Sequence, residues 1–366
     1  MKLGKLVDVK TGKLDANAAE ENGKYPFFTT AKEVYKINQY SFDNEAVLVA
    51  GNGDLNVKYY NGKFDAYQRT YVLSAKEENN IHMKYLYYFM DGYLNTLRKQ
   101  AIGCVIKYIK LENITGVNIY FPSMETQAKI AKILDKSTAL ITKRKTQIDE
   151  LDNLIRSVFL QMFGEPSLDQ DLIPLSEIFT IIDGDRGKFY PKNHEFYEKE
   201  YCLFLSAKNV TKDGFCFINN QFIKKSKDEE LIKGKLVKGD VVLTTRGTVG
   251  NIAYYSDDIE YENIRINSGM VILRKVSDNI NLLYFIILVR YFDLFSKSIS
   301  GSAQPQLPIS VLKDIKIKLP KIEQQTQFAE IVEKIQSQKS LLQKSLVELE
   351  IQHQALMQKA FNGELV

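Results

Sequence analysis

Tryptophan is absent from this 366-residue chain, and cysteine and histidine are scarce, with three of each. Cys104, Cys202 and Cys216 cannot all pair, and neither they nor His82, His194 and His353 stand at metal-ligand spacing. A disulfide framework and a zinc motif are therefore excluded, and reduced thiols are expected. A membrane-spanning helix needs roughly 20 apolar residues, and the longest apolar run, residues 282–289, falls far short. The amino end lacks the charged-then-apolar pattern of a secretory signal, so a cytoplasmic protein is expected.

Catalytic motifs are missing as well. Gly51-Asn52-Gly53 begins like a dinucleotide loop, but the third glycine is absent and no helical pattern follows. There is no glycine-rich phosphate loop ending in Lys-Ser or Lys-Thr and no Gly-x-Ser-x-Gly elbow, and the histidines have no acid or nucleophile partner. The double proline of an amino-methyltransferase motif does not occur. These absences argue against an enzyme acting by itself. Nor is either sign of charge in excess. The net charge is +4, with 16 basic against 13 acidic residues over 1–122 and 21 against 20 over 166–320. Any nucleic-acid surface has to be a local patch.

What the chain does contain is one long segment twice, over 121–164 and again over 319–363. Steps of 4 and 3 residues in the first copy pick out Ile130, Leu134, Ser137, Ile141, Arg144, Ile148, Leu151, Ile155, Val158 and Met162. Adding 198 to each number gives Phe328, Val332, Ile335, Lys339, Leu342, Leu346, Leu349, His353, Leu356 and Ala360. Eight of ten are apolar in each copy, which is the seam of a coiled coil. Pro122, Glu125, Gln127, Ala131, Ile133 and Lys136 recur as Pro320, Glu323, Gln325, Ala329, Ile331 and Lys334, and Phe163-Gly164-Glu165 at the end of the first copy is answered by Phe361-Asn362-Gly363-Glu364. Proline closes the preceding strand, acid suits the first turn and glycine the last. A repeat this long organises the fold.

The stretches between the helices repeat as well. Ala46-Val47-Leu48-Val49-Ala50 reads as a strand closed by Gly51-Asn52-Gly53-Asp54, and Asn61-Gly62 between β-formers predicts a hairpin turn. Residues 67–73 alternate like a half-buried strand, Tyr85, Leu86, Phe89, Tyr93, Leu94 and Leu97 mark a helix face, and Gly103 opens a loop. Residues 166–320 follow the same order: a strand at 240–245 closed by Arg246-Gly247-Thr248-Val249-Gly250, a strand at 268–274, a helix over 282–295 and a loop at Gly301. This second module carries extra length between about 186 and 239. The predicted class is α+β: two mixed α/β modules over 1–121 and 166–319, alternating with helices over 122–165 and 320–366 that pair as an antiparallel coiled coil.

The side chains at the matching loops suit the reading of DNA. Asn52, Lys58, Tyr59, Tyr60, Lys63, Gln68 and Arg69 stand in the first module, with Lys107 in its later loop. Arg246, Thr248, Asn251, Arg265, Asn267 and Ser268 stand in the second. Arg and Lys pair with guanine edges and phosphates, and Asn and Gln pair with adenine. The competing reading of any single one is a polar turn capping a sheet. Gln304 and Gln306 present two amides in a loop whose counterpart, residues 103–108, has none, so the modules are expected to read different sequences. Arg186, Lys188, Lys208 and Asn209 lie in the extra length and offer further contacts. The run Lys143-Arg144-Lys145 reads as a solvated helix face, with Arg144 on the seam facing an acid of the partner helix as the alternative.

With these residues in view the chain resembles the specificity subunit of a type I restriction-modification system over essentially its whole length. The resemblance is carried by GKYPFFTTAKE at 23–33, YNGKFDAYQRTYVL at 60–73, LSAKNVTKDG at 205–214, GDVVLTTRGTVG at 239–250, GSAQPQLPISVLKDIKIKLPKIEQQ at 301–325 and KAFNGEL at 359–365. The first proline-led helix departs from the usual Pro-Leu-x-x-Gln with Pro122-Ser123-Met124-Glu125-Thr126-Gln127. The resemblance implies two target-recognition domains, each reading half of a split site in double-stranded DNA. It also implies helices that act as spacer and dock two methyltransferase subunits, with restriction subunits joining later. It assigns no cofactor to this chain: S-adenosylmethionine, ATP and magnesium belong to the partner subunits. The class that stands against this reading is a coiled-coil scaffold whose modules bind protein, and salt dependence separates the two, because phosphate contacts weaken steeply with salt.

Overall fold

The structure, a computed structural model, describes residues 1–77, 81–166, 172–301 and 305–366. In chain order the first elements are β1 (Val7–Thr11), β2 (Tyr25–Phe28), β3 (Tyr35–Ile37), β4 (Phe42–Ala50), β5 (Val57–Ala66), β6 (Thr70–Ala75), α1 (Met83–Gln100), α2 (Leu111–Thr115) and α3 (Met124–Phe163). Then come β7 (Leu172–Pro174), α4 (Leu175–Ile178), β8 (Phe179–Asp183), β9 (Cys202–Leu205), β10 (Val210–Thr211), β11 (Gly214–Phe215), β12 (Phe222–Ile223) and α5 (Lys225–Glu230). The chain ends through β13 (Val241–Thr244), β14 (Ile252–Tyr254), β15 (Ile264–Ile266), β16 (Met270–Lys275), α6 (Leu282–Tyr291), α7 (Ile309–Asp314), β17 (Lys316–Lys318) and α8 (Ile322–Asn362). Two compact units result: Met1–Ile148 with Leu341–Val366, and Asp149–Ser340.

In the first unit six strands order as β1-β6-β4-β5-β2-β3, antiparallel except where β2 runs parallel to β5. β4 is almost wholly apolar at its C-terminal end because both faces of the sheet are covered. Val47 and Val49 join Leu73, Leu86 and Met90 in a core beneath α1, while Ala46 and Leu48 pack with Phe28, Phe64 and Val72 on the other face. A four-stranded sheet of the second unit, β14-β13-β16-β8, repeats in reverse the β1-β6-β4-β5 part of this order. Val241 and Leu243 face α6, and Val242 faces the opposite core. The extra length of 186–239 forms β9 to β12 and α5, with β9 running parallel to β15.

The hairpin expected at Asn61-Gly62 does not form. Both residues lie inside β5, paired with Glu45 and Asn44 of β4, and the chain reverses instead at 51–56. The long uninterrupted ladder with β4 outweighs the local turn preference of an Asn-Gly pair. The α6 helix also ends at Tyr291, short of 295, where Asp293 takes a φ of 37°.

Within each unit one half of α3 packs antiparallel to one half of α8. In the first, Ile130, Ala131, Leu134 and Ala360 are buried together with α1, Ser137 Oγ meets His353 Nδ1 at 3.1 Å and Lys145 pairs with Glu350 at 2.9 Å. In the second, Ile155, Phe159 and Phe163 pack on Phe328, Val332 and Ile335, and Lys339 donates to Asp152 at 2.6 Å. Every seam position named above is buried or half-buried, so the 4-and-3 register holds along both helices. Its polar members are partnered: Ser137 by His353, and Lys339 by Asp152, which also accepts from Tyr291 at 2.7 Å. Arg144 bonds Gln147 of its own helix rather than an acid across the seam.

The repeated Pro-x-x-x-x-Gln has a structural purpose in each unit. Gln127 is fully buried; its Oε1 accepts from the His82 amide at 2.9 Å and its Nε2 donates to the Pro122 carbonyl at 2.9 Å. Gln325, equally buried, accepts from the Asn281 amide at 2.9 Å and donates to the Pro320 carbonyl at 2.6 Å. His82 and Asn281 are the N-cap residues of α1 and α6, so one amide side chain ties the start of the long helix to the start of the module's helix.

Candidate nucleic-acid interface

In the second module three loops converge at the C-terminal end of β13. The Thr245 amide donates to the Gly269 carbonyl at 2.8 Å, the Leu307 amide to the Thr245 carbonyl at 2.9 Å and the Gly247 amide to the Pro305 carbonyl at 3.1 Å. Arg246 is bridged to Gln306, and Gln306 and Ser300 exchange two backbone bonds of 2.9 Å. Leu307, 2% exposed, anchors the base of the last loop. Arg246 and Gln306 therefore stand side by side, and neither side chain bonds another described residue. Arg186 joins them through a 3.5 Å bond to the Ser268 carbonyl, held by a 3.0 Å ion pair with Asp183. Asn251 donates to the Val210 carbonyl at 2.9 Å, which fastens the turn carrying exposed Lys208 to the 245–251 loop.

The first module builds the same ladder. The Gly51 amide donates to the Arg69 carbonyl at 2.8 Å, the Ile109 amide to the Gly51 carbonyl at 2.9 Å and the Gly53 amide to the Lys107 carbonyl at 3.0 Å. Asn52 is bridged to Tyr108, and Tyr108 exchanges backbone bonds with Ile102. Gly53 and Gly247, at φ of 69° and 74°, make the same left-handed turn. Asn52 thus occupies the place of Arg246, and Tyr108 that of Gln306. Exposed Lys107 and Arg69 flank this rim, and no side-chain hydrogen bond or ion pair engages either among the described residues. A rim of unengaged cations and amides on a rigid sheet end is what contact with phosphates and base edges requires.

The family model for the type I restriction modification DNA specificity domain matches twice, over residues 1–153 and 169–351. The chain belongs to this specificity-domain family. It is 26% identical to the EcoDI specificity subunit of Escherichia coli, covering all of this chain and 88% of that protein. It is 24% identical to the MjaVIII specificity subunit of Methanocaldococcus jannaschii, covering all of this chain and 92% of that one. Among solved structures it resembles the S subunit from M. genitalium, with a TM-score of 0.55 at 19% identity over 99% of this chain and 95% of that one. It also resembles a chain from work on complex assembly and conformational transition of the type I R-M system, with a TM-score of 0.60 at 16% identity over 100% and 97%.

Other polar residues named above in this specificity-domain chain already make contacts within the modules, some buried and some, such as Lys63, Gln68, Lys188 and Thr248, exposed. Arg265 is 6% exposed, bonded to Asp228 at 2.5 Å and to the carbonyls of Asp228, Leu231 and Lys233. Asn209, also buried, caps its own turn through Ser206 and donates to the Cys216 carbonyl. Asn267 accepts from the Gly269 amide within its turn, and the Thr248 hydroxyl accepts from Asn251. In the first module Lys58 donates to the Ala31 carbonyl at 2.6 Å, and burial pulls its ammonium below the usual lysine range. Tyr59 donates to Glu45 at 2.6 Å, and burial together with that carboxylate raises its phenol. Tyr60 packs on Phe28 and Phe64, Lys63 lies over the Tyr40 ring and Gln68 bonds Asp15. Lys188 lies over Phe189. Gln304 lies outside the described residues. Tyr108 is the rim position that residue chemistry overlooked; its spacing of 198 from Gln306 is the signal that finds it.

Proposed function

We propose that this chain is the DNA-reading subunit of a type I restriction-modification complex. Each module reads one half of a split, asymmetric duplex site, and α3 and α8 set the unread gap. The observation that carries this reading is the duplicated backbone ladder, which offers unlike side chains, Asn52 with Tyr108 and Arg246 with Gln306, from one rigid frame. A recognition surface that must be firm in shape and variable in sequence calls for that arrangement.

The chain itself is non-catalytic and cytoplasmic. Two methyltransferase subunits and the restriction subunits supply the chemistry, and S-adenosylmethionine, ATP and magnesium act there. Exposed Leu140, Leu341, Val347 and Ile351 on the helices support a docking role for their outer faces, since exposed apolar side chains gain by being covered. Holding DNA in fixed register is what a subunit that flips an adenine requires of its partner.

The test is co-expression with the methyltransferase subunit, followed by single-molecule sequencing of genomic DNA. A split motif with a constant gap is expected, together with an affinity that falls with salt at a slope of about 0.9 per phosphate contacted. An assembled complex that binds S-adenosylmethionine but leaves DNA unmodified overturns the reading.

A further inference from the structure

We infer that positions 52 and 246 are the paired specificity positions of the two modules: Asn52 selects an A·T pair in one half-site and Arg246 a G·C pair in the other. This rests on the DNA-reading role proposed above and assigns base identity to named residues. The pairing follows from the hydrogen-bond ladder. Gly51, Gly53, Lys107, Tyr108 and Ile109 make the same backbone bonds as Thr245, Gly247, Pro305, Gln306 and Leu307. Residues 52 and 246 are therefore held at one place in one frame, and only the side chain differs.

The chemistry at each place is distinct. Arg246 carries a guanidinium with no partner among the described residues, and its fork matches the O6 and N7 acceptors of guanine. Asn52 carries an amide whose Oδ1 is shut from solvent with no donor in reach. An acceptor left in that state is costly. Turning the amide outward onto adenine gives it the N6 donor, while Nδ2 donates to N7.

The neighbouring loops agree with the assignment. In the first module the tip beside Asn52 is apolar, with Val105 97% exposed and Ile106 61% exposed. Such side chains gain by covering a thymine methyl group, which only A·T pairs display. In the second module the residue beside Arg246 is the exposed amide of Gln306.

The experiment uses the full chain assembled with its methyltransferase subunit, as wild type and as Asn52→Arg, Arg246→Asn and Arg246→Lys. The wild-type methylation motif is determined first; its absence counts against DNA reading itself and is thereby distinguished from failure of this assignment. With that motif in hand, Asn52→Arg is expected to change one pair, A·T to G·C, in one half only. Arg246→Asn changes one G·C pair in the other half. Competition between duplexes differing at that pair is expected to show the original preference reduced about 5- to 150-fold. This compares sequences within one variant, so partial unfolding cannot imitate it. Arg246→Lys keeps the charge but loses the fork, and relaxes the same base pair. Wild-type preference in the assembled variants overturns the inference, as does a uniform loss of affinity in Arg246→Lys, which marks a phosphate contact.

Discussion

At the scale of single residues, polar side chains of one type divide by burial into two jobs. Arg246 follows β13 and Arg265 lies within β15, in two different sheets of the second unit, and of the two only Arg246 has a side chain without a partner among the described residues. Arg265 lies against buried Asp228, with Asp185 at 3.7 Å, and fastens α5 to β15. Arg265→Ala leaves Asp228 to Lys235 alone and takes the donor from the carbonyls of Asp228, Leu231 and Lys233, so it is expected to destabilise the second unit by about 3–5 kcal/mol, read by urea unfolding. Burial alone raises the Asp228 carboxyl, but its bonds to Lys235 and Arg265 prevail and hold it below the usual aspartate value of 3.8. A carboxyl lower in the folded than in the unfolded state stabilises above the unfolded value, and that contribution is lost as pH falls through the folded one. Stability of the second unit should therefore drop below about pH 4, and less steeply in Arg265→Ala. Composition could not separate the two arginines, because what divides them is which loop folds back over β15.

At the scale of elements, the two helices were legible because a seam repeats many times and each repetition confirms the last. The buried glutamines were visible as a repeat but not as a device. Gln127→Ala leaves the His82 amide without an acceptor, and Gln325→Ala does the same to Asn281. Each substitution is expected to cost about 1–3 kcal/mol. Hydrogen exchange should place the loss at the start of α1 for the first and of α6 for the second. Equal protection in wild type and variants would mean that the prolines alone hold these helix starts. The Asn61-Gly62 turn was misread for the converse reason: a two-residue signal carries no information about the nine-residue strand that pairs across it.

At the scale of the whole molecule, the proposed division of labour makes the helices a ruler. The antiparallel contacts Ser137 with His353 and Lys145 with Glu350 mean that both helices must change together. One heptad inserted after Ser137 and one before His353 adds about 10 Å of helix. The expected result is a gap about 3 base pairs longer in the methylated motif, at about 3.4 Å per pair, with both halves unchanged. An insertion in α3 alone is expected to destabilise the pair, since it slides Lys145 away from Glu350. A gap that stays constant in the doubly lengthened protein removes the helices from the role of spacer.

The sequence by itself determined the class of fold, the duplicated modules and the inward face of both helices. Those depend on periodic burial, which a linear chain displays directly. Only the tertiary structure decided which polar residues meet at the rim. Asn52 and Tyr108, or Arg246 and Gln306, are separated along the chain by more than fifty residues. They are brought together by backbone hydrogen bonds between their chain neighbours, which act through main-chain atoms and so leave no mark in composition.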